Sequence, residues 1–280
     1  PLEFQVAVIN NFGGFYRSWV YLNEVRRQGA TLELPCVNSS EELTTISRKT
    51  VFLGFVHVQH LEKTTIDLIL SERNCHGEYS SLVDFMERIP VSKEQLIILI
   101  RLGAFRFTGK EKSRLLWEIH LHLKKPSKNG HSPGMFRAES KEFKLPPLKH
   151  EPLEDAYDEI ELLGFPLSMS SFDMLQTGFR GEVQAGNLIQ HTGKKVRMVG
   201  NLVTIKNVRT VKREMMHFGT FLDVTGEFFD TVHFPDSLKK YPFRGMGVYL
   251  ILGKVVEEFG YPSLEVQKMA KLPIRSNPKA

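Results

Sequence analysis

Apolar residues recur along this chain with two different spacings, and the change between them divides it. In roughly the first 165 residues the spacing is three and four, the mark of helices with one buried face. Phe4, Val8 and Ile9, then Val20 and Val25, trace two such helices, with the glycines of "NNFGGFY" breaking the chain between them. "YLNEVRRQGATLELPCVNSS" reads as a helix ended by Gly29, a short strand, and a loop opened by Pro35. After a short extended run, Ile66, Ile69 and Leu70 mark one face of a further helix. Ser80 or Ser81 is placed to cap "LVDFMERI". Ser92 with Gln95 forms a capping-box pattern before "KEQLIILIRLG", which Gly103 ends. A basic run, Arg106, Lys110, Lys112 and Arg114, leads into the helix "LLWEIHLHLKK". Residues 126–150 are rich in Pro, Gly, Ser and Lys and read as a linker. "EPLEDAYDEIELLGF" follows as an acidic amphipathic helix.

From Lys194 the spacing shortens to two, the period of a strand with one buried face. "KKVRMVGNLVTIKNVRTV" is a long strand whose internal Gly200 signals a bend or bulge. "MMHFGTFLD" and "FFDTVHF" are two more, joined by "VTGE". "GVYLILGKVVEEFGYPSLEVQKM" supplies the last two, turning at "FGYP". Five strands with a short helix, "PDSLKKYPFRG", between the third and fourth are the layout of an OB-fold barrel. The expected fold class is therefore α+β multidomain: a helical region followed by a five-stranded OB-fold β-barrel.

Bulk composition narrows the classes. A chain of 280 residues is expected to hold two or three units, and 41% hydrophobic residues suffice for real cores. The formal charge of +5 is compatible with a polyanionic partner without requiring one. Cys36 and Cys75 form no CxxC and no cluster with histidine, which excludes a disulfide scaffold or a zinc ribbon and suits a reducing cytoplasm. No apolar run approaches the ~18 residues a membrane span needs, so no membrane association is expected. The opening residues lack a signal-peptide layout and begin within a helix-like pattern, so a piece of a longer chain is expected.

The catalytic motifs GxSxG, GxxxxGK[ST], HExxH and GxGxxG are all missing. The carboxylates of "EPLEDAYDEIELL" read as a solvated acidic face. His120 and His122, two apart on a helix, point in different directions and make a poor metal pair. Binding features are better represented. "FGTFLDVTGEFFDTVHF" holds five phenylalanines. Strand alternation puts Phe221, Phe229 and His233 on one phase, read as interior. Phe218, Thr220, Asp230, Val232 and Phe234 fall on the other. Phe218 and Phe234 either cover a packed helix or stack on bases, which needs exposed rings beside cations. Lys206, Arg209, Lys212 and Arg213 lie in "KNVRTVKRE", read as the loop between the first two strands, where OB folds commonly grip nucleic acid. The turn after "LIRLG" is a second candidate. Backbone N–H groups around Gly103 and Ala104, with Arg106, Lys110 and Lys112, could hold a phosphate; an ordinary helix C-cap is the alternative.

In this order the segments resemble the C-terminal part of the bacterial DNA polymerase III alpha subunit family, the C-family of replicative polymerases. "EFQVAVINNFGGFYRSWVYLNEVRRQGATLELPCVNSS" is similar to the end of that family's fingers region. "VFLGFVHVQHLEKTTIDLILSER" and "YSSLVDFMERIPVSKEQLIILIRLGAF" are similar to its tandem helix-hairpin-helix domain, and the strand segments to its OB domain. The resemblance implies a fingers-like end over 1–45, a helix-hairpin-helix domain over 46–125, a linker over 126–150, a helical connector over 151–190 and an OB domain over 191–275. It implies DNA as partner, with primed duplex held by the hairpins and single-stranded template by the barrel. Other replisome subunits would bind as well. The family's two-metal-ion chemistry belongs to a palm upstream of these segments. The chain is thus expected to be inactive as a polymerase alone, with no catalytic or metal-binding residues and with Mg2+ serving only the missing palm. Two departures stand out. His60, Leu61 and Glu62 occupy the place of a Gly-x-Gly turn in the first hairpin. In a Gln-x-x-[Met/Leu]-Phe clamp-binding motif, Met135 and Phe136 are kept but Ser132 stands for the glutamine. The alternative from another class is a free-standing OB-fold protein-interaction module.

Overall fold

The computed structural model describes residues 2–123 and 150–279. Met135, Phe136 and the rest of the linker up to residue 149 lie outside the described residues. The elements run α1 Leu2–Asn10, α2 Ser18–Arg27, β1 Thr31–Glu33, β2 Thr45–Ser47, β3 Thr50–Phe52, α3 Lys63–His76, α4 Leu82–Arg88, α5 Lys93–Arg101, α6 Lys112–Leu123, α7 Pro152–Leu163, β4 Lys195–Arg209, β5 Met215–Leu222, β6 Phe228–His233, α8 Pro235–Lys240, β7 Val248–Glu258 and β8 Tyr261–Lys271, with short 3-10 turns at Phe55–His57, Arg106–Thr108 and Ala185–His191. The chain folds as two compact units. One comprises residues 1–32, 48–50 and 166–280, and the other residues 33–47 and 51–165. The fingers-like stretch and the connector are each divided between the units.

The helical unit buries the apolar faces of α3, α5 and α6 around Phe55, Ile69, Phe85, Leu99 and Ile119. Tyr79, Phe85 and Phe105 meet edge to face, at 4.9 and 5.0 Å between centroids, the arrangement their ring quadrupoles favour. Both predicted caps form. Ser81 Oγ accepts from the Asp84 N–H at 3.1 Å and Ser92 Oγ from the Gln95 N–H at 3.3 Å. The capping box is only half made, however, because the Gln95 side chain turns elsewhere.

The other unit is a closed barrel of strand order β4-β5-β6-β8-β7, with β6 and β8 parallel and the remaining pairs antiparallel. With α8 between its third and fourth strands, this is the OB fold. Strand β4 pairs with β7 from Lys195 to Asn201 and with β5 from Asn201 to Arg209. Gly200 sits at that change of partner. It is there for close approach: a Cβ would lie 2.5 Å from the Phe229 ring and 2.9 Å from Phe221 Cβ. The bulge itself falls three residues later, where the register shifts between Leu202 and Thr204. Val203 packs with Leu222 against Val20 of α2, flanked by Tyr16 and Trp19. That contact is why the first two helices belong to the barrel unit.

Phe221 and Phe229 are buried and stacked, 5.5 Å apart at 17°. The β5–β6 turn is held by buried Asp223, whose carboxylate accepts from Thr225 N–H and Oγ1, Glu227 N–H and Ala185 N–H. His233 is also inside, directly across from His217. The Thr231 hydroxyl donates to the Gly219 carbonyl at 2.9 Å, so at 2.8 Å it accepts from His233, whose proton is therefore on Nε2.

Two predictions follow from this core. Gly200→Ala costs the barrel about 1–3 kcal/mol by overpacking, read as a lower urea midpoint. Burial, aided by His217, lowers His233 from 6.5 to about 4. A folded value below the unfolded one makes the stabilisation complete above pH 6.5 and lost as pH falls toward 4. Urea titrations of the barrel should show a loss on the order of 2 kcal/mol between pH 7 and pH 5, part of which disappears in His233→Gln.

Candidate nucleic-acid interface

The outer face of β4, β5 and β6 is set by their register. Lys206 lies across from Phe218, and Phe218 across from Val232, so one row carries a cation, a ring and an aliphatic side chain on the same side of the sheet. In the next row, Thr204, Thr220 and Asp230 are in register, and Thr220 Oγ1 donates to Asp230 at 2.7 Å. Phe218 is 38% exposed and Phe234, at the start of α8, 45%. Both rings stand on the outer phase, opposite the buried pair.

The basic residues differ in placement from the expected loop. Strand β4 runs to Arg209, so Lys206 and Arg209 are strand residues. The turn is shorter, with Thr210 and Glu214 closing it. Thr210 N–H donates to the Glu214 carbonyl at 2.9 Å and Arg213 N–H to the Thr210 carbonyl at 2.8 Å. Val211, Lys212 and Arg213 form the exposed tip. Arg213 has φ +61°, a left-handed position usually given to glycine in such turns. Lys206, Arg209, Lys212 and Arg213 make no ion pair among the described residues, although Glu214 beside them is matched by Lys239 at 3.4 Å. The structure thus leaves four cations without ion pairs among the described residues along one strand end and its turn, with Phe218 across from Lys206; Arg209, across from Met215, falls on the other strand phase.

The second hairpin presents the opposite case. Gly103, φ +72°, ends α5. Its N–H donates to the Ile100 carbonyl, and the Ala104 N–H to the Leu99 carbonyl, both at 2.9 Å. This is a complete Schellman cap, and it occupies the two N–H groups expected to meet a phosphate. Arg106 is exposed, and its guanidinium lies along its own unit. It donates to the carbonyls of Pro35 and Leu34 and pairs with Glu33 at 3.0 Å. Lys110 pairs with Glu118 at 2.7 Å, and Lys112 with Asp155 at 2.5 Å. Arg101 holds Asp158 at 2.7 Å and Glu161 at 2.5 Å, and keeps the Glu161 carboxyl below its ordinary range.

Helix α7 is therefore not the solvated acidic face its composition suggested. Asp158 and Glu159 are buried, and Asp155, Asp158 and Glu161 neutralise Lys112 and Arg101. Their spacing of three was the available signal, since it puts all three on one face of a helix. Among the described residues of this unit every arginine is in an ion pair.

At the first hairpin, His60 takes φ +63° in place of a glycine. Gln95, 5% exposed, spans the turn: its amide donates to the His60 carbonyl at 2.9 Å and its oxygen accepts from the Glu62 N–H at 2.8 Å. That turn is tied to α5, and its N–H is spoken for. Sequence reasoning did not find this role for Gln95, because the pattern equally suits a capping box.

Among the described residues, no group of three or more His, Cys, Asp or Glu side chains is placed to hold a metal ion, and no helix is long and apolar enough to cross a membrane.

One unit thus carries two helical hairpins, and the other an OB barrel with an open basic edge of the kind a polyanion suits. The family model for the helix-hairpin-helix motif matches residues 29–115. Over most of its length the chain is similar to DNA polymerase III alpha subunits. It is 26% identical to that of Staphylococcus epidermidis over 91% of this chain and 24% of the relative. The figures are 24% identity, 84% and 22% for Treponema pallidum, and 26%, 86% and 23% for Staphylococcus aureus. The chain spans less than a quarter of the length of these curated relatives.

Because Arg106 ties the 33–35 segment to its hairpin from an exposed position, Arg106→Ala should lower the stability of the helical unit by about 0.5–1.5 kcal/mol in chemical denaturation.

Proposed function

We propose that this chain acts as the DNA-handling C-terminal portion of a replicative DNA polymerase III alpha subunit, with the barrel as its principal contact for single-stranded template. The observation that carries the reading is the contrast in charge satisfaction. Lys206, Arg209, Lys212 and Arg213 stay without ion pairs at one end of β4 and its turn, with Lys206 across from exposed Phe218, whereas Arg106, Lys110 and Lys112 of the hairpin are neutralised within their own unit. Unpaired cations beside a ring are what a strand of phosphates and bases requires: counterion release supplies affinity, and stacking adds about 1–3 kcal/mol per base. Similarity to polymerase alpha subunits over most of the chain supports the same role.

In this reading the hairpins act mainly as a scaffold beside duplex, since the N–H groups of Glu62, Gly103 and Ala104 and the cations of Arg106, Lys110 and Lys112 are already engaged. Phe218 stacks on a base, and Phe234 extends the same face. Nucleotidyl transfer and its Mg2+ belong to the palm of the whole polymerase. Contacts with the sliding clamp, through Met135 and Phe136, and with other replisome subunits are part of the same proposal. A cytoplasmic setting fits the two free thiols, Cys36 and Cys75.

Fluorescence anisotropy with labelled oligothymidine and primed duplex, titrated with salt, tests this. Replacing Lys206, Arg209, Lys212 and Arg213 together by alanine should lower single-strand affinity at least tenfold. It should also reduce the salt slope by about 3, at ~0.7 per phosphate contact. An unchanged affinity and slope would move the site off the barrel. No binding even at low salt would favour a protein-interaction module instead.

A further inference from the structure

The hairpin joining β7 to β8 ends in two residues, Phe259 and Gly260, between the paired Glu258 and Tyr261. Their φ angles are +54° and +83°. Two successive positive values are the pattern of a type I′ turn, for which Asn-Gly is the favoured pair. A bulky side chain in the first position is a backbone outlier, and here the fold gains nothing in return. Phe259 is 99% exposed, and Tyr261 beside it 79%. Neither local conformation nor packing accounts for a phenylalanine at this tip. Strain held without a structural return points to a contact with another molecule, and two exposed aromatic rings on a rigid hairpin are the kind of anchor that fills a partner's pocket.

Charge selects the partner. Glu257 and Glu258 flank the ring, are exposed, and make no ion pair among the described residues. Two carboxylates beside the contact would repel a phosphate backbone, whereas they complement a basic rim. We infer that the β7–β8 tip is a protein-docking knob, in which Phe259 and Tyr261 enter an apolar pocket rimmed by lysine and arginine side chains on a second protein. This surface is separate from the basic edge of β4 and does not depend on it.

The turn geometry makes an informative variant available. Asparagine tolerates the left-handed conformation, so Phe259→Asn should raise the melting temperature of the barrel by about 2 °C or more while removing the knob. The full chain carrying Phe259→benzoylphenylalanine, irradiated in cells, should form an adduct with a second protein. That protein, purified, should bind the wild-type chain in calorimetry. Its affinity should fall at least tenfold with Phe259→Asn, and also with Glu257→Lys and Glu258→Lys together. Affinity of Phe259→Asn for oligothymidine should stay within twofold of wild type. Four outcomes would overturn the inference: a melting temperature that falls, showing a structural ring; a tenfold loss of oligothymidine affinity, showing a nucleic-acid contact; no protein adduct; or an adduct partner that binds Phe259→Asn as tightly as wild type.

Discussion

One strand closes the barrel, and the rest of that unit is arranged around its ability to serve two neighbours. Strand β4 gives its first half to β7 and its second half to β5, with Asn201 paired to both. A strand can do this only by coiling sharply. The room comes from Gly200, whose missing side chain lets Phe221 and Phe229 pack against the backbone, and from the register shift that follows it. The inner set of side chains, the outer row of Lys206, Phe218 and Val232, and the docking of α2 over Val203 all follow from where that bend falls.

A second constraint is the disposal of positive charge. The helical unit satisfies its described arginines, Lys63, Lys110 and Lys112 internally, with α7 acting as the acidic partner of Arg101 and Lys112. Backbone donors are treated alike: the Schellman cap takes those of Gly103 and Ala104, and Gln95 takes that of Glu62. At the barrel edge no such partners are supplied. Partly buried ion pairs specify geometry more than they add stability, so the pairing in the helical unit is best understood as fixing the hairpins in place. The unpaired edge retains its field for a partner.

Backbone conformation marks several of these sites. His60, Arg213 and Phe259 all take positive φ where glycine or asparagine would be easier. His60 is held there by Gln95. Arg213 and Phe259 have no comparable tether, and each displays its side chain at an exposed hairpin tip. In both, local ease has been given up for presentation, one of a charge and the other of a ring.

Much of this was legible in the residues alone. Spacing three and four against spacing two separates the helical part from the barrel. Ser81, Ser92 and Gly103 mark helix ends, and alternation divides Phe221, Phe229 and His233 from Phe218 and Phe234, because each depends only on neighbours in the chain. What sequence could not decide was which charges cancel. Arg106 and Arg213 are equally basic as letters, yet one meets Glu33 some seventy residues away and the other meets no ion partner among the described residues. The acidic helix read as solvated for the same reason, and the bend or bulge read at Gly200 is a bend whose cause, the close approach of two rings, is not visible in the chain's order. Local conformation is set by a residue and its near neighbours; neutralisation and packing are set by side chains that only the tertiary fold brings within a few ångströms.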